Sequence, residues 1–278
     1  MNNIRPVIKK IASVLTSDGA GVVLRRSIGT EVLSELDPFL LLDAFGTENP
    51  GDYIAGFPDH PHRGFETVTY MLAGSMRHRD SNGDEGVLLP GGVQWMTAGK
   101  GIIHSEMPEQ TEGEMRGFQL WLNLPSKEKM KAPYYQNFEP YELPMRDICD
   151  GVRVRVIVGS VDDFKGPVIG GSTDPLYIDI HMKKDSKFMQ LVPTSHTCFI
   201  YVYEGEVTII GEIIPKDTLA VIGNGDRVTL KSRERSKVIL VAAKPINEPV
   251  ARYGPFVMNT REEIEKAIDD FRSGCFVS

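Results

Sequence analysis

Cysteine is scarce in this chain: Cys149, Cys198 and Cys275 are the whole complement of 278 residues. They are far apart and odd in number, so they form no CxxC pair and no disulfide framework, which suits a reducing compartment. Each reads as a plain buried or surface thiol. Long apolar runs are missing as well. The piece IASVL after Lys9 and Lys10 is ended by Thr16, Ser17, Asp18 and Gly19. That is too short for a signal-peptide core, and no other stretch approaches a membrane span. A cytoplasmic protein with no membrane partner is expected, with nuclear entry open in a eukaryotic cell. No arginine-rich run or nucleic-acid motif occurs, and a formal net charge of −7 disfavours phosphate backbones, so no direct nucleic-acid partner is expected. The nucleophile elbow GxSxG, the Walker loop, a GxGxxG opening a helix and cysteine-rich zinc spacings are all absent.

What is present is turn chemistry and strand grammar. The chain has 27 glycines and 18 prolines, with 41% hydrophobic and 25% charged residues, a globular composition whose length predicts about two domains. Short β-branched and aromatic runs such as GVVLRRSIG and PFLLLDAFG are punctuated by Gly46, Gly56, Gly74, Gly83, Gly86 and Pro90-Gly91-Gly92. Almost no helical period appears before residue 126. The fold class expected is all-β, as sandwiches or jelly-roll barrels whose interior can hold a site.

The stretch from Asn123 to Gly151 holds Pro125, Pro133, Pro140 and Pro144 and reads as a linker carrying one helical turn. Strand grammar returns in RVRVIVG, LYIDIHM, CFIYVYEGEVTIIG and KVILVAA. Tyr70 with Gly74 and Tyr201 with Gly205 share one spacing, the trace of a degenerate internal repeat. The expected division is a barrel over 1–135, a linker over 136–150, a second barrel over 151–250 and a tail over 251–278. In the tail, Thr260 with Glu263 forms a capping box ahead of Ile264, Ala267, Ile268 and Phe271 at helical spacing, so a short helix covering a barrel flank is expected.

The chemistry concentrates between Gly56 and Pro108, in GFPDHPHRGFETVTYMLAGSM and LLPGGVQWMTAGKGIIHSEMP. His60 and His62 are spaced by two, and so are His104 and Glu106. Alternate residues of a strand share a face, so each pair projects both side chains one way. Two such strands brought face to face in a barrel would offer three nitrogens and one carboxylate oxygen to a single point. One HxH among six histidines is a weak signal; a second pair of the same parity makes metal binding the better reading.

FPDHPHRGFETVTYML and PGGVQWMTAGKGIIHSEMP, with GFQLWLNLPSKEKM and GPFVMNTREEIEKAIDDF, resemble the signature of the pirin family within the cupin superfamily. The resemblance runs from Asp43 to Phe271. It implies two tandem cupin barrels with a C-terminal helix, and iron held in the first barrel by His60, His62, His104 and Glu106. It also implies an enzyme, a quercetin 2,3-dioxygenase that opens a flavonol with dioxygen and releases carbon monoxide. Animal pirins imply an alternative: a non-catalytic, iron-dependent redox sensor that acts through a protein partner in transcription.

Iron(II) with three neutral imidazoles and one carboxylate keeps a charge of about +1 and leaves positions open for an anionic oxygen donor. Zinc, nickel or manganese would suit the same donors. Glu106 is the expected catalytic base. Glu66 shares the parity of His60 and His62 and reads as supporting structure rather than as a ligand. Arg63, Lys100 and Arg116 are candidates for the mouth of the site. Trp95 and Trp121 read as barrel core, His78 as an exposed strand residue, and His181 and His196 as structural. The second half lacks an equivalent HxH, so only one barrel is expected to carry metal.

Overall fold

Alternation builds the strands. Val152, Val154 and Val156, then Ile178, Ile180 and Met182, then Cys198, Ile200 and Val202 are buried together, each set at every second position. A strand sends such a set to one face, so the three sets form one wall of an apolar core. The computed structural model describes residues 3–277. It is mostly β, with a single α-helix, Arg261–Arg272, among the described residues.

The chain forms two compact units, and each contains a seven-stranded and a four-stranded antiparallel sheet. In the unit that carries the histidine motif, the larger sheet runs Tyr134–Phe138, Val93–Thr97, Phe65–Ala73, Met115–Asn123, Phe39–Thr47, Val22–Ile28, Val14–Asp18. Its smaller sheet runs Phe57–His62, Ile102–Pro108, Met76–Asp80, Glu85–Leu88. The second unit repeats this plan, and the repeat seen in sequence marks equivalent turns. Phe65–Ala73 and Thr197–Glu204 are followed by Gly74 and Gly205, both at φ 71°, a left-handed turn that favours glycine.

The unit boundaries differ from the division expected at 135 and 150. One unit comprises residues 15–29, 39–140 and 246–277, and the other 3–14, 30–38 and 141–245. Val7–Ala12 is the reason at the N-terminus: it pairs antiparallel with Thr218–Ile222 and satisfies that strand's outer backbone groups. The stretch expected as a linker is ordered structure instead. Tyr134–Phe138 pairs with Val93–Thr97, and Arg146–Cys149 pairs with Val152–Val158. Prolines at 133, 140 and 144 flank these strands, where no ladder hydrogen bond is lost.

The tail helix forms as expected. Thr260 accepts from Glu263 N, and the Glu263 carboxylate returns to the Thr260 N–H. Its Ile264 and Ala267 are buried with Phe256, Met258 and Phe276, and Ile103 of the smaller sheet packs against the same cluster.

Candidate metal centre

His60 ends up opposite His104, and His62 opposite Ile102, because Phe57–His62 and Ile102–Pro108 are neighbours in the smaller sheet. The two strands therefore lie side by side, where facing strands were expected. Side chains directly opposite on adjacent strands share a face, so the convergence survives the change of geometry. A bulge between His104 and Glu106 sets Glu106 opposite Phe57 and bends the strand at the site. Gly64, two residues after His62, has φ +89°, and a Cβ there would stand 2.0 Å from the Val257 carbonyl oxygen. No other residue admits the tail so close to the end of the histidine strand.

The three imidazoles cluster. Ring centroids are 4.7 Å apart for His60 and His62, 4.4 Å for His60 and His104, and 5.0 Å for His62 and His104. One ring nitrogen from each lies within 4.8 Å of the others. Burial, reinforced by the neighbouring imidazoles, holds His62 and His104 well below the usual histidine range, so both are neutral and carry a lone pair. The His60 Nδ1 lies 2.8 Å from the Pro58 carbonyl oxygen, which can only accept, so Nδ1 donates and Nε2 is left for the cluster. His62 Nδ1 and both ring nitrogens of His104 are buried without a hydrogen-bond partner. Each such buried atom costs about 1–3 kcal/mol if it stays bare, and a bound cation would relieve one nitrogen of each ring, the other carrying the hydrogen. The residues present thus fit a borderline divalent metal.

Glu106 lines the same pocket as His60 and His62 but is engaged differently. Its Oε1 is 2.9 Å from Thr69 Oγ1, and Gln119 Nε2 donates to its Oε2 at 3.2 Å. Burial pushes its pKa up against the opposing effects of His60 and these two neighbours. Thr69 also reaches Gln119 Oε1 at 2.7 Å and has one proton for two oxygens.

The pocket has a volume of about 540 Å³. A polar row crosses its floor: Thr69, Gln119, Asp43 and Arg26 are successive cross-strand partners on four neighbouring strands of the larger sheet. Arg26 clasps Asp43 with two bonds of 2.8 and 2.7 Å and reaches Asp18 at 2.6 Å. Trp121 and Leu41 form the apolar row beside it.

The remaining sequence candidates divide. Arg63, Lys100 and Arg116 do not line the pocket. Arg63 is buried and bound to Asp270 at 2.7 Å, because the tail covers the strand end where it sits. The cations on the wall are Arg26 and Arg252, and Arg252 stands 5.0 Å over the Trp121 ring. Trp121 itself is a pocket wall packed edgewise on His62 at 5.3 Å, while Trp95 is core as expected. His78 is buried rather than exposed, since it pairs with Glu106 across the smaller sheet and stacks near Tyr135. Glu66 is buried outside the imidazole group, with Thr97 donating to it at 2.7 Å and Lys131 in an ion pair at 3.6 Å. His181 contacts Asp179 and Tyr203 in the other unit, as a structural residue would. Thr69, Gln119, Asp43 and Arg26 were missed from sequence. The signal for them was a polar residue at the inward parity of each otherwise apolar strand.

Comparison with known proteins identifies the family and the fold. The pirin family model matches residues 21–122, and the pirin C-terminal cupin domain model matches residues 177–277. A pirin-like protein of Caulobacter vibrioides is 49% identical, covering 98% of this chain and 99% of its own length. Human pirin is 46% identical over 98% of this chain and 94% of its own. A crystal structure of quercetin 2,3-dioxygenase from Acinetobacter baumannii superposes with a TM-score of 0.92 at 34% identity, covering 99% of both chains. This chain belongs to the pirin family, and its two barrels are cupin domains.

Proposed function

We propose that His60, His62, His104 and Glu106 hold a divalent transition metal, iron(II) first among the candidates, and that the protein is a dioxygenase acting on flavonols. The observation that carries this reading is the set of three imidazoles converging beside a pocket of about 540 Å³. The relative solved as a quercetin 2,3-dioxygenase supports the substrate class. Iron bound there would supply open coordination positions at which dioxygen and a chelating oxygen donor come together.

The chain's own residues prepare the rest. Glu106, made more basic by burial, accepts the proton of the ligand's hydroxyl. Trp121 offers an aromatic wall beside His62, against which a flat ring system can lie. The alternative role, a redox sensor read by a protein partner in transcription, would need no room beside the ion, and the pocket favours catalysis. The test is dioxygen uptake and carbon monoxide release with quercetin, for iron-loaded against metal-free protein. Equal rates would defeat the proposal.

A further inference from the structure

Glu106 is gripped at both of its oxygens by two side chains from the larger sheet. Thr69 Oγ1 lies 2.9 Å from Oε1, Gln119 Nε2 donates to Oε2 at 3.2 Å, and Thr69 and Gln119 meet each other at 2.7 Å. The three groups close a ring. Thr69 and Gln119 are directly opposite one another on paired strands, so backbone register fixes their spacing before any side chain turns. Thr69 is 2% exposed and Glu106 is 3% exposed, which leaves the carboxylate little other hydrogen-bonding company. The contact with the Thr69 hydroxyl also sets which way the Gln119 amide faces: Oε1 towards Thr69 and Nε2 towards Glu106.

We infer that Thr69 and Gln119 are positioning residues that fix the Glu106 carboxylate relative to the three imidazoles and so set the affinity of the centre for a divalent cation. The inference rests on the four-residue centre proposed above. Glu106 is not among the side chains whose donor atoms already lie within 4.8 Å of one another, but its two fixed partners restrict where the carboxylate can move and so lower the ordering its use as a donor requires. Removal of such an outer partner typically weakens metal binding 10–100-fold. The polar row continues from Gln119 to Asp43 and Arg26, so the grip is anchored on neighbouring strands rather than on a loop.

Cobalt(II) titration of the metal-free protein, followed by its visible absorption, tests this. Thr69→Val and Gln119→Leu are each expected to raise the cobalt dissociation constant about 10–100-fold, while Thr69→Ser, which keeps the hydroxyl, stays within about threefold. In a Glu106→Ala background, Thr69→Val is expected to have no further effect, because the group it positions is gone. Unchanged affinity and spectrum in both single variants would overturn the inference, and so would an undiminished Thr69→Val effect without Glu106. Cobalt binding needs neither dioxygen nor flavonol, so a failed turnover assay leaves this result standing. If the wild-type protein binds no cobalt, the centre falls and this inference falls with it.

Discussion

Arg63 and Asp270 stand 207 positions apart in the chain and meet in an ion pair of 2.7 Å. The Arg63 guanidinium also lies 4.4 Å over the Phe276 ring. Its backbone is bracketed by the tail, since Arg63 N donates to the Pro255 carbonyl at 3.2 Å and Val257 N donates to the Arg63 carbonyl at 3.0 Å. Arg63 follows His62 directly, so the last residues of the chain hold the end of the strand that carries two of the three imidazoles.

Arg63→Met should therefore loosen the tail. Breaking a buried pair costs about 3–5 kcal/mol, and the partial exposure of Asp270, 20% for its side chain, reduces this to about 2–3 kcal/mol. The expected result is a melting temperature lower by about 5–10 °C and faster proteolysis within 251–277, read by calorimetry and mass spectrometry. Unchanged melting would show that the pair contributes nothing net.

His104→Ala should remove metal binding while the barrel persists. The wild-type protein is expected to take up one equivalent of divalent metal and to be stabilised when loaded, by about 2.7 kcal/mol at a hundredfold excess over the dissociation constant, so that it melts higher. The variant should show neither effect in elemental analysis or calorimetry. Full stoichiometry in the variant would place the ion elsewhere.

Glu106→Gln removes the proposed base, and because Glu106 is also a proposed metal ligand the comparison is made at equal metal occupancy. The amide keeps the size of the side chain but cannot accept the ligand's proton. Dioxygen consumption with quercetin should fall by about 10²-fold or more. Turnover at the wild-type rate would remove Glu106 from the proposed chemistry.

Lys129 supplies a pH signature. It is buried, and its ammonium donates to the Gly64 and Val257 carbonyls at 2.8 and 2.9 Å and to Asn123 Oδ1 at 2.7 Å. Burial pulls its pKa down to about 8 from the ordinary lysine value of 10.5. The native state then loses this proton at lower pH than the unfolded chain does. The cost of burying the charge is fully present below pH 8 and is relieved as pH rises towards 10.5. Between pH 8 and 10, wild-type stability should rise by about 2 kcal/mol relative to Lys129→Met, measured by urea unfolding. Parallel curves would show that the lysine titrates normally. At neutral pH the variant should be the less stable of the two, because three buried acceptors lose their donor.

Much of the architecture is legible in the sequence. Period-two patterns marked the strands, the Tyr70–Gly74 and Tyr201–Gly205 spacing marked the repeat, and Thr260 with Glu263 marked the helix start. Those signals are local, because each depends on residues within one turn or one strand. The linker expected over 136–150 failed for the converse reason. Tyr134–Phe138 is a strand because Val93–Thr97 needs a partner at the sheet edge, and that need is not written in the prolines around it.

The histidine motif by itself determined which side chains share a face, since parity along a strand is fixed by the backbone. Only the tertiary structure decided what stands around them. Thr69, Gln119, Asp43 and Arg26 come from four separate strands and reach one row through register, a long-range property of pairing. Arg63 was turned to Asp270, and Arg252 was brought to the pocket wall, by a tail nearly two hundred residues away from the motif along the chain. Sequence specifies the direction of a side chain from its neighbours in the chain, but its partners follow from burial, which only the assembled sheets define.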